Sequence, residues 1–212
     1  MYEKGKRNVI EVTGEGKVTV QPDQAEITLG ASTEDLSLMK AQKSNALIIS
    51  NIKKALNQIG IRDEQIQTVN YSIYPQYEYI EGKQIFKGYK VEHLLHITVK
   101  QFQNAGLVVD TAVGHGANNV SGIKFDTSNH NQYYQQALSL AVINAHQKAE
   151  TIANTLRVQL IRVPISVTEN LRTYGGPIPY QTFEFVKSEA VTPIQPGTMD
   201  IISTVTAKFT YD

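Results

Sequence analysis

Between residues 133 and 156 the apolar side chains keep a helical period without a break, and alanine recurs in it at Ala137, Ala141, Ala145, Ala149 and Ala153. Residues four apart lie on one side of a helix, so this stripe is an amphipathic face. Its small side chains would let the helix lie close against a sheet. A second helical stripe runs through Leu38, Ala41, Ile48, Ile52, Ala55, Leu56 and Ile59. Gly60 then supplies a left-handed C-terminal cap, and Ile61 is placed to pack back on the last turn. Two long helices are therefore fixed, and the segments between them have to provide what they pack on.

Those segments carry a period of two. Over residues 8–33, Val18 and Val20 alternate with polar residues, as do Ala25, Ile27, Leu29 and Ala31. This is the pattern of strands with one buried face. Pro22-Asp23 supplies the turn between the two runs, and Gly14-Glu15-Gly16 predicts a bulge or kink in the first. Further strands are predicted over residues 67–79 and 86–100, joined through Glu81-Gly82, with Val91, His93, Leu95, Ile97 and Val99 sharing a face. A short helix near 104–113 and a strand near 120–126 follow. Beyond the alanine helix, a strand over 158–168 carries Pro164, which places it at an edge or a bulge, and a clean alternating strand ends the chain at 201–211.

The order reads β-β-α-β-β and then α-β-α-β-β. It predicts an α+β fold of antiparallel sheets with long helices packed on one face. The two related halves would be subunits 8–100 and 101–212 of a single domain spanning 1–212. Residues 170–197 hold Gly175, Gly176, Pro177, Pro179, Pro193, Pro196 and Gly197, and read as a long projecting loop.

Several short motifs in this order resemble one family. Val12-Thr13-Gly14-Glu15-Gly16-Lys17-Val18 followed by Val20-Gln21-Pro22-Asp23 is similar to the opening of the SIMPL-domain family, the bacterial group that includes the periplasmic immunogenic proteins. Gly60-Ile61 with Ile66-Gln67-Thr68, Tyr74-Pro75-Gln76-Tyr77, Gly88-Tyr89, Gly116-Ala117-Asn118 and Pro193-Ile194-Gln195-Pro196-Gly197 continue the match. The resemblance implies an α+β structure and assembly into large homo-oligomers in some members. It carries no catalytic residues over to this chain.

Charge and composition narrow the function classes. Lys+Arg and Asp+Glu are both 20, so the formal net charge is zero and no basic surplus exists to hold a nucleic acid. There is no cysteine, which excludes disulfides and thiolate chemistry. No apolar run is long enough to span a bilayer, and none follows the charged start as a secretory signal would. The expected location is cytoplasmic.

Candidate constellations are weak. The glycines at 14 and 16 run into a strand, whereas a phosphate cradle needs a helix N-terminus. His93 and His96, three apart on a strand, point to opposite faces and cannot share an ion. His146 and Glu150 share a helix face, but spacing offers no third ligand, and His115 fits a helix-capping role. Ser121 lacks a nucleophile elbow. Glu34-Asp35 and Asp63-Glu64 sit where a helix dipole accounts for them. No catalytic, cofactor or metal residue is assigned.

The local bias is aromatic. Tyr71, Tyr74, Tyr77, Tyr79, Phe86 and Tyr89 crowd one hairpin, and Tyr174, Tyr180, Phe183 and Phe185 crowd the long loop. Tyrosine buries a large ring while keeping a polar tip, which suits interfaces. Tyr74, Tyr77, Tyr174, Tyr180, Phe183 and Phe185 are the candidate interface residues. The expected function is a non-enzymatic homo-oligomeric scaffold or interaction module whose partner is itself. The alternative is a small-ligand binding protein with a tyrosine-lined cleft between the two halves.

Overall fold

A computed structural model of the chain describes residues 8–170 and 196–212. The order of elements is β1 (Val9–Val20), β2 (Gln24–Asp35), α1 (Leu38–Gln58), β3 (Ile66–Ile80), β4 (Lys83–Val99), α2 (Ala105–Gly114), β5 (Asn119–Asp126), α3 (His130–Leu156), β6 (Ser166–Asn170) and β7 (Met199–Thr210). This is the predicted α+β order. The projecting loop read over 170–197, with Tyr174, Tyr180, Phe183 and Phe185, lies outside the described residues except at its ends.

The strands form two antiparallel sheets, ordered β1-β7-β6 and β3-β4-β2-β5. Their membership does not follow consecutive halves of the chain. β1 pairs along its whole length with β7, from Val9 opposite Thr210 to Val20 opposite Met199. β2, only four residues beyond, pairs with β4 and β5 instead. Two compact units result: one of β1, α3, β6 and β7, the other of β2, α1, β3, β4, α2 and β5. Pro22-Asp23 is thus the point where the chain leaves one unit for the other, and not a hairpin turn. The boundary near residue 100 considered from element order does not coincide with these units.

In the second unit both helices lie on one face of the four-stranded sheet. Ala25, Ile27, Leu29 and Ala31 of β2 and Leu95, Ile97 and Val99 of β4 meet Ile49, Ile52 and Leu56 of α1 and Ala105, Val108 and Ala112 of α2, all buried. Burying a Leu or Ile side chain stabilises by about 1.5–3 kcal/mol, so this layer is the main source of that unit's stability. α1 ends as its sequence predicts. The Gly60 and Ile61 amides donate to the carbonyls of Asn57 and Leu56 at 3.1 and 3.0 Å, Gly60 adopts φ +91°, and Ile61 joins the core.

In the first unit α3 covers one face of the three-stranded sheet. Its buried residues are all alanine: 141, 145, 149 and 153 are set against Ile10, Val12, Val205, Ala207 and Phe209, and 137 against Val20 and Ile201. The expected bulge at Gly14-Glu15-Gly16 is absent, and the β1–β7 register runs through it unbroken. The glycines have another reason. A methyl group on Gly16 would land on the Ala137 carbonyl oxygen and 2.8 Å from Leu140 Cβ; one on Gly14 would meet Ala145 Cβ at 2.8 Å. Helix and sheet backbones approach as closely as glycine on one side and alanine on the other allow.

α3 closes with the same hydrogen bonds as α1, but on a residue ill suited to them. Arg157 takes φ +58°, donating to the Asn154 carbonyl at 3.1 Å, while Val158 donates to Ala153 at 3.0 Å. A left-handed conformation costs a residue with a Cβ, and the Arg157 side chain is exposed. Arg157→Gly should therefore stabilise the protein by about 0.5–1 kcal/mol, read as a higher urea midpoint at unchanged slope.

Candidate functional site

Pairing of β3 with β4 makes a long hairpin that begins under α1 and runs beyond it. Cross-strand partners share a face. Val91, buried on the α1 side, lies opposite Ile73; outward from there Tyr89 lies opposite Pro75, Phe86 opposite Tyr77 and Gln84 opposite Tyr79. Ile73, Tyr77, Tyr79 and Phe86 therefore extend the side on which the core is built, yet they are exposed, Tyr79 at 72%. The rings form an edge-to-face series, Tyr77 to Phe86 at 5.7 Å and Phe86 to Tyr89 at 5.2 Å. Among the described residues β3 is the outer strand of its sheet, so its edge borders this surface.

Tyr74 and Tyr77, singled out together from the sequence, are not brought together. Tyr74 lies opposite Lys90 on the other face, where Lys90 approaches Glu34 at 3.8 Å. The same parity that separates His93 from His96 separates these two tyrosines. The residues that join Tyr77 are Phe86, Tyr89, Tyr79 and Ile73.

At the inner end of the hairpin, where α1 lies over β4 and reaches β3 through the Gln42–Tyr71 contact, lies a groove of about 490 Å³. Lys53 and Lys54 of α1, Asp63 of the turn after it, and Tyr71 and His93 of the hairpin line it. His93 stands on the apolar side of β4, in the stripe of Val91, Leu95 and Ile97. Its Nε2 is 3.0 Å from Thr68 Oγ1, and the Tyr71 ring meets its ring edge-on at 5.2 Å. Burial, with the Lys53 charge adding to it, holds the imidazole pKa below its usual value. Gln42 Nε2 donates to Tyr71 Oη at 3.1 Å, and Lys53 pairs loosely with Asp63 at 3.8 Å.

Asn45 closes the groove from the α1 side. It is 1% exposed, and its amide nitrogen donates to the carbonyls of Ala31 at 2.9 Å and Val91 at 3.2 Å. One side chain thus ties α1 to two neighbouring strands. The groove was missed in the sequence, although a lone histidine among Val91, Leu95, Ile97 and Val99 marks a polar group on a buried face.

The remaining candidates are scattered. His146 meets Phe209 edge-on at 5.8 Å, and Glu150 faces Arg162 at 3.8 Å. His115 Nδ1 is 2.8 Å from the Thr111 carbonyl, which is a capping contact. Among the described residues no three His, Asp or Glu side chains gather as a metal site would require, and no helix is long and apolar enough to cross a membrane.

Comparison with known proteins places this architecture. The chain is 30% identical over 189 residues to the 26 kDa periplasmic immunogenic protein of Brucella melitensis, covering 87% of this chain and 75% of that protein. The counterpart from Brucella abortus matches to the same extent. The uncharacterized protein YggE of Escherichia coli K12 is 28% identical over 149 residues, 68% of this chain and 59% of that protein. These relatives overturn the expected cytoplasmic location, since the Brucella proteins are named as periplasmic. The charged start at residues 1–8 was a poor guide to compartment, because location is set by targeting and not by the folded domain. Residues 10–209, which take in nearly all of both units, match the model of the SIMPL family, described as a protein of unknown function (DUF541), and the chain belongs to that family.

Proposed function

We propose that the protein is an extracytoplasmic, non-enzymatic interaction module that assembles with copies of itself through the β3–β4 hairpin. The supporting observation is the continuation of the core-facing side of the sheet past α1, where Ile73, Tyr77, Tyr79 and Phe86 stay exposed. Contiguous exposed aromatics are costly to leave in water, and burying them is a large share of most interface energies. The charges on the hairpin favour a second copy as the occupant. Glu78, Glu81, Lys83 and Lys87 balance, and Lys87 already pairs with Glu78 at 2.6 Å. A surface balanced in this way repels neither itself nor its symmetry mate, whereas a strongly charged partner would gain little from it.

Light scattering on a sizing column checks this. The unaltered protein should elute as a multiple of its 23.6 kDa chain. Tyr77→Ser with Phe86→Ser should lower that mass, with affinity falling at least about a hundredfold for two aromatic anchors. Tyr74→Ser, on the opposite face, should change it far less. A monomer at every concentration would refute the assembly. A second reading, binding of a small ligand, is favoured by the groove at Lys53 and His93.

A further inference from the structure

We infer that the groove between α1 and the inner end of the β3–β4 hairpin binds a small soluble oxyanion, a carboxylate or phosphate compound, held by Lys53, Lys54, Tyr71 and His93. This rests on the ligand-binding reading and is independent of assembly through the outer hairpin. Three features of the groove carry it. The first is charge: the Lys53 and Lys54 ammonium groups line it against one carboxylate, Asp63, and the Lys53–Asp63 distance of 3.8 Å is long for an ion pair. Lys54 has no carboxylate within ion-pair distance among the described residues.

The second feature is that hydrogen-bond donors are left over. Tyr71 Oη accepts from Gln42, so its own hydroxyl proton remains available to an acceptor. His93 uses Nε2 towards Thr68, which leaves Nδ1 for another partner, and Ser50 adds a hydroxyl to the wall. The third is shape. A groove of about 490 Å³ on a rigid sheet-and-helix frame suits a molecule of metabolite size and is too small for a folded partner. An oxyanion there would meet two ammonium groups and a hydroxyl donor, and would favour the imidazolium form of His93 that burial and, to a lesser degree, Lys53 disfavour.

That coupling supplies the test, because anion binding must raise the His93 pKa if the two are linked. The imidazole proton resonances of the five histidines can be followed by NMR across pH, the His93 signal being assigned by its loss in His93→Gln. At low ionic strength, inorganic phosphate or citrate should move that signal saturably and raise its pKa by about half a unit or more, leaving His115, His130 and His146 in place. Lys53→Ala, at a half-buried position on the groove wall, should weaken the effect at least about fivefold, and Asp63→Asn should strengthen it. A neutral probe (glucose) or a cationic one (choline) should have no effect.

Failure separates the two layers of the inference. If glucose or choline moves the His93 signal and phosphate and citrate do not, the groove binds ligands of another class and the oxyanion assignment is wrong. If no probe moves it, the groove is not a ligand site and the ligand-binding reading falls with it. If phosphatidylglycerol vesicles move it while free phosphate and citrate do not, the source is a lipid surface, and the soluble anion is refuted.

Discussion

Gly16→Val should destabilise the protein by at least about 3 kcal/mol. The reason is backbone meeting backbone. A β-carbon at this position would overlap the Ala137 carbonyl oxygen and crowd the Ala141 amide, neither of which is the flexible end of a side chain. Relief requires α3 to lift off β1, and doing so opens the contacts of Ala141, Ala145 and Ala149 with Ile10, Val12 and Val205 along the same seam. The interior is packed too densely to absorb such a shift locally. Gly16→Ala should already cost a large part of the total.

Gly122→Ala provides the control. It too replaces a strand glycine, but a β-carbon there has nothing within 4 Å, so the change should stay within about 0.5 kcal/mol. Urea unfolding of the three variants decides the matter. Equal midpoints for Gly16→Ala and Gly122→Ala would mean that α3 does not sit on β1 as closely as the glycines indicate.

The same glycines show what a sequence exposes and what it conceals. Element order was readable throughout, because periods of two and of 3.6 are local properties: α1, α3, β4 and β7 fall where their stripes lie. Which strand pairs with which is not local. Nothing in the period of residues 9–20 separates β2, four residues away, from β7 at the far end of the chain. A glycine pair in a strand has two physical readings, a bulge or a close approach. The partner that decides between them, the Ala137–Ala141–Ala145 row, lies on another element. Small facing small was nonetheless visible in the sequence, and matching the two rows would have found the contact.

The candidate site divides in the same way. Crowding of aromatics in residues 71–89 was legible, and strand parity alone separates Tyr74 from Tyr77; what was not legible is the register shift between Gln76 and Tyr77, which skips Lys87 and brings Phe86 opposite Tyr77. The groove needs α1 to be laid across β4, which brings Lys53 and His93, forty residues apart, to one place. His93 was the available signal. A polar residue inside an apolar stripe is either satisfied internally or waiting for something, and Thr68 satisfies only one of its nitrogens.

Asn45→Asp should be nearly as damaging as Gly16→Val at neutral pH, and it should be damaging in a pH-dependent way. Asn45 falls at the core position between Ala41 and Ile49 on α1, so the helical stripe buries it. Its amide nitrogen donates to Ala31 and Val91 carbonyls. Aspartate has the same shape, but places an oxygen where both carbonyl oxygens expect a donor. An ionised carboxylate, buried and facing two acceptors, should cost about 3 kcal/mol or more. The group avoids that cost by staying protonated, when one O–H can serve one of the two carbonyls. Its folded pKa therefore rises above the unfolded value of about 3.9, and the sign follows. The loss of stability is smallest below that unfolded value and grows by about 1.4 kcal/mol per unit as pH rises, until the folded pKa is passed. Asn45→Ala removes the same donors with no titrating group, so its cost, about 2 kcal/mol, should not vary with pH. Urea midpoints of both variants at pH 4.5 and 7.5, each referred to the unaltered protein, separate these cases. If the two variants lose the same stability at both pH values, the Asn45 amide is not what ties α1 to β2 and β4. A difference that widens towards pH 7.5 identifies that amide as the tie that holds α1 over the groove.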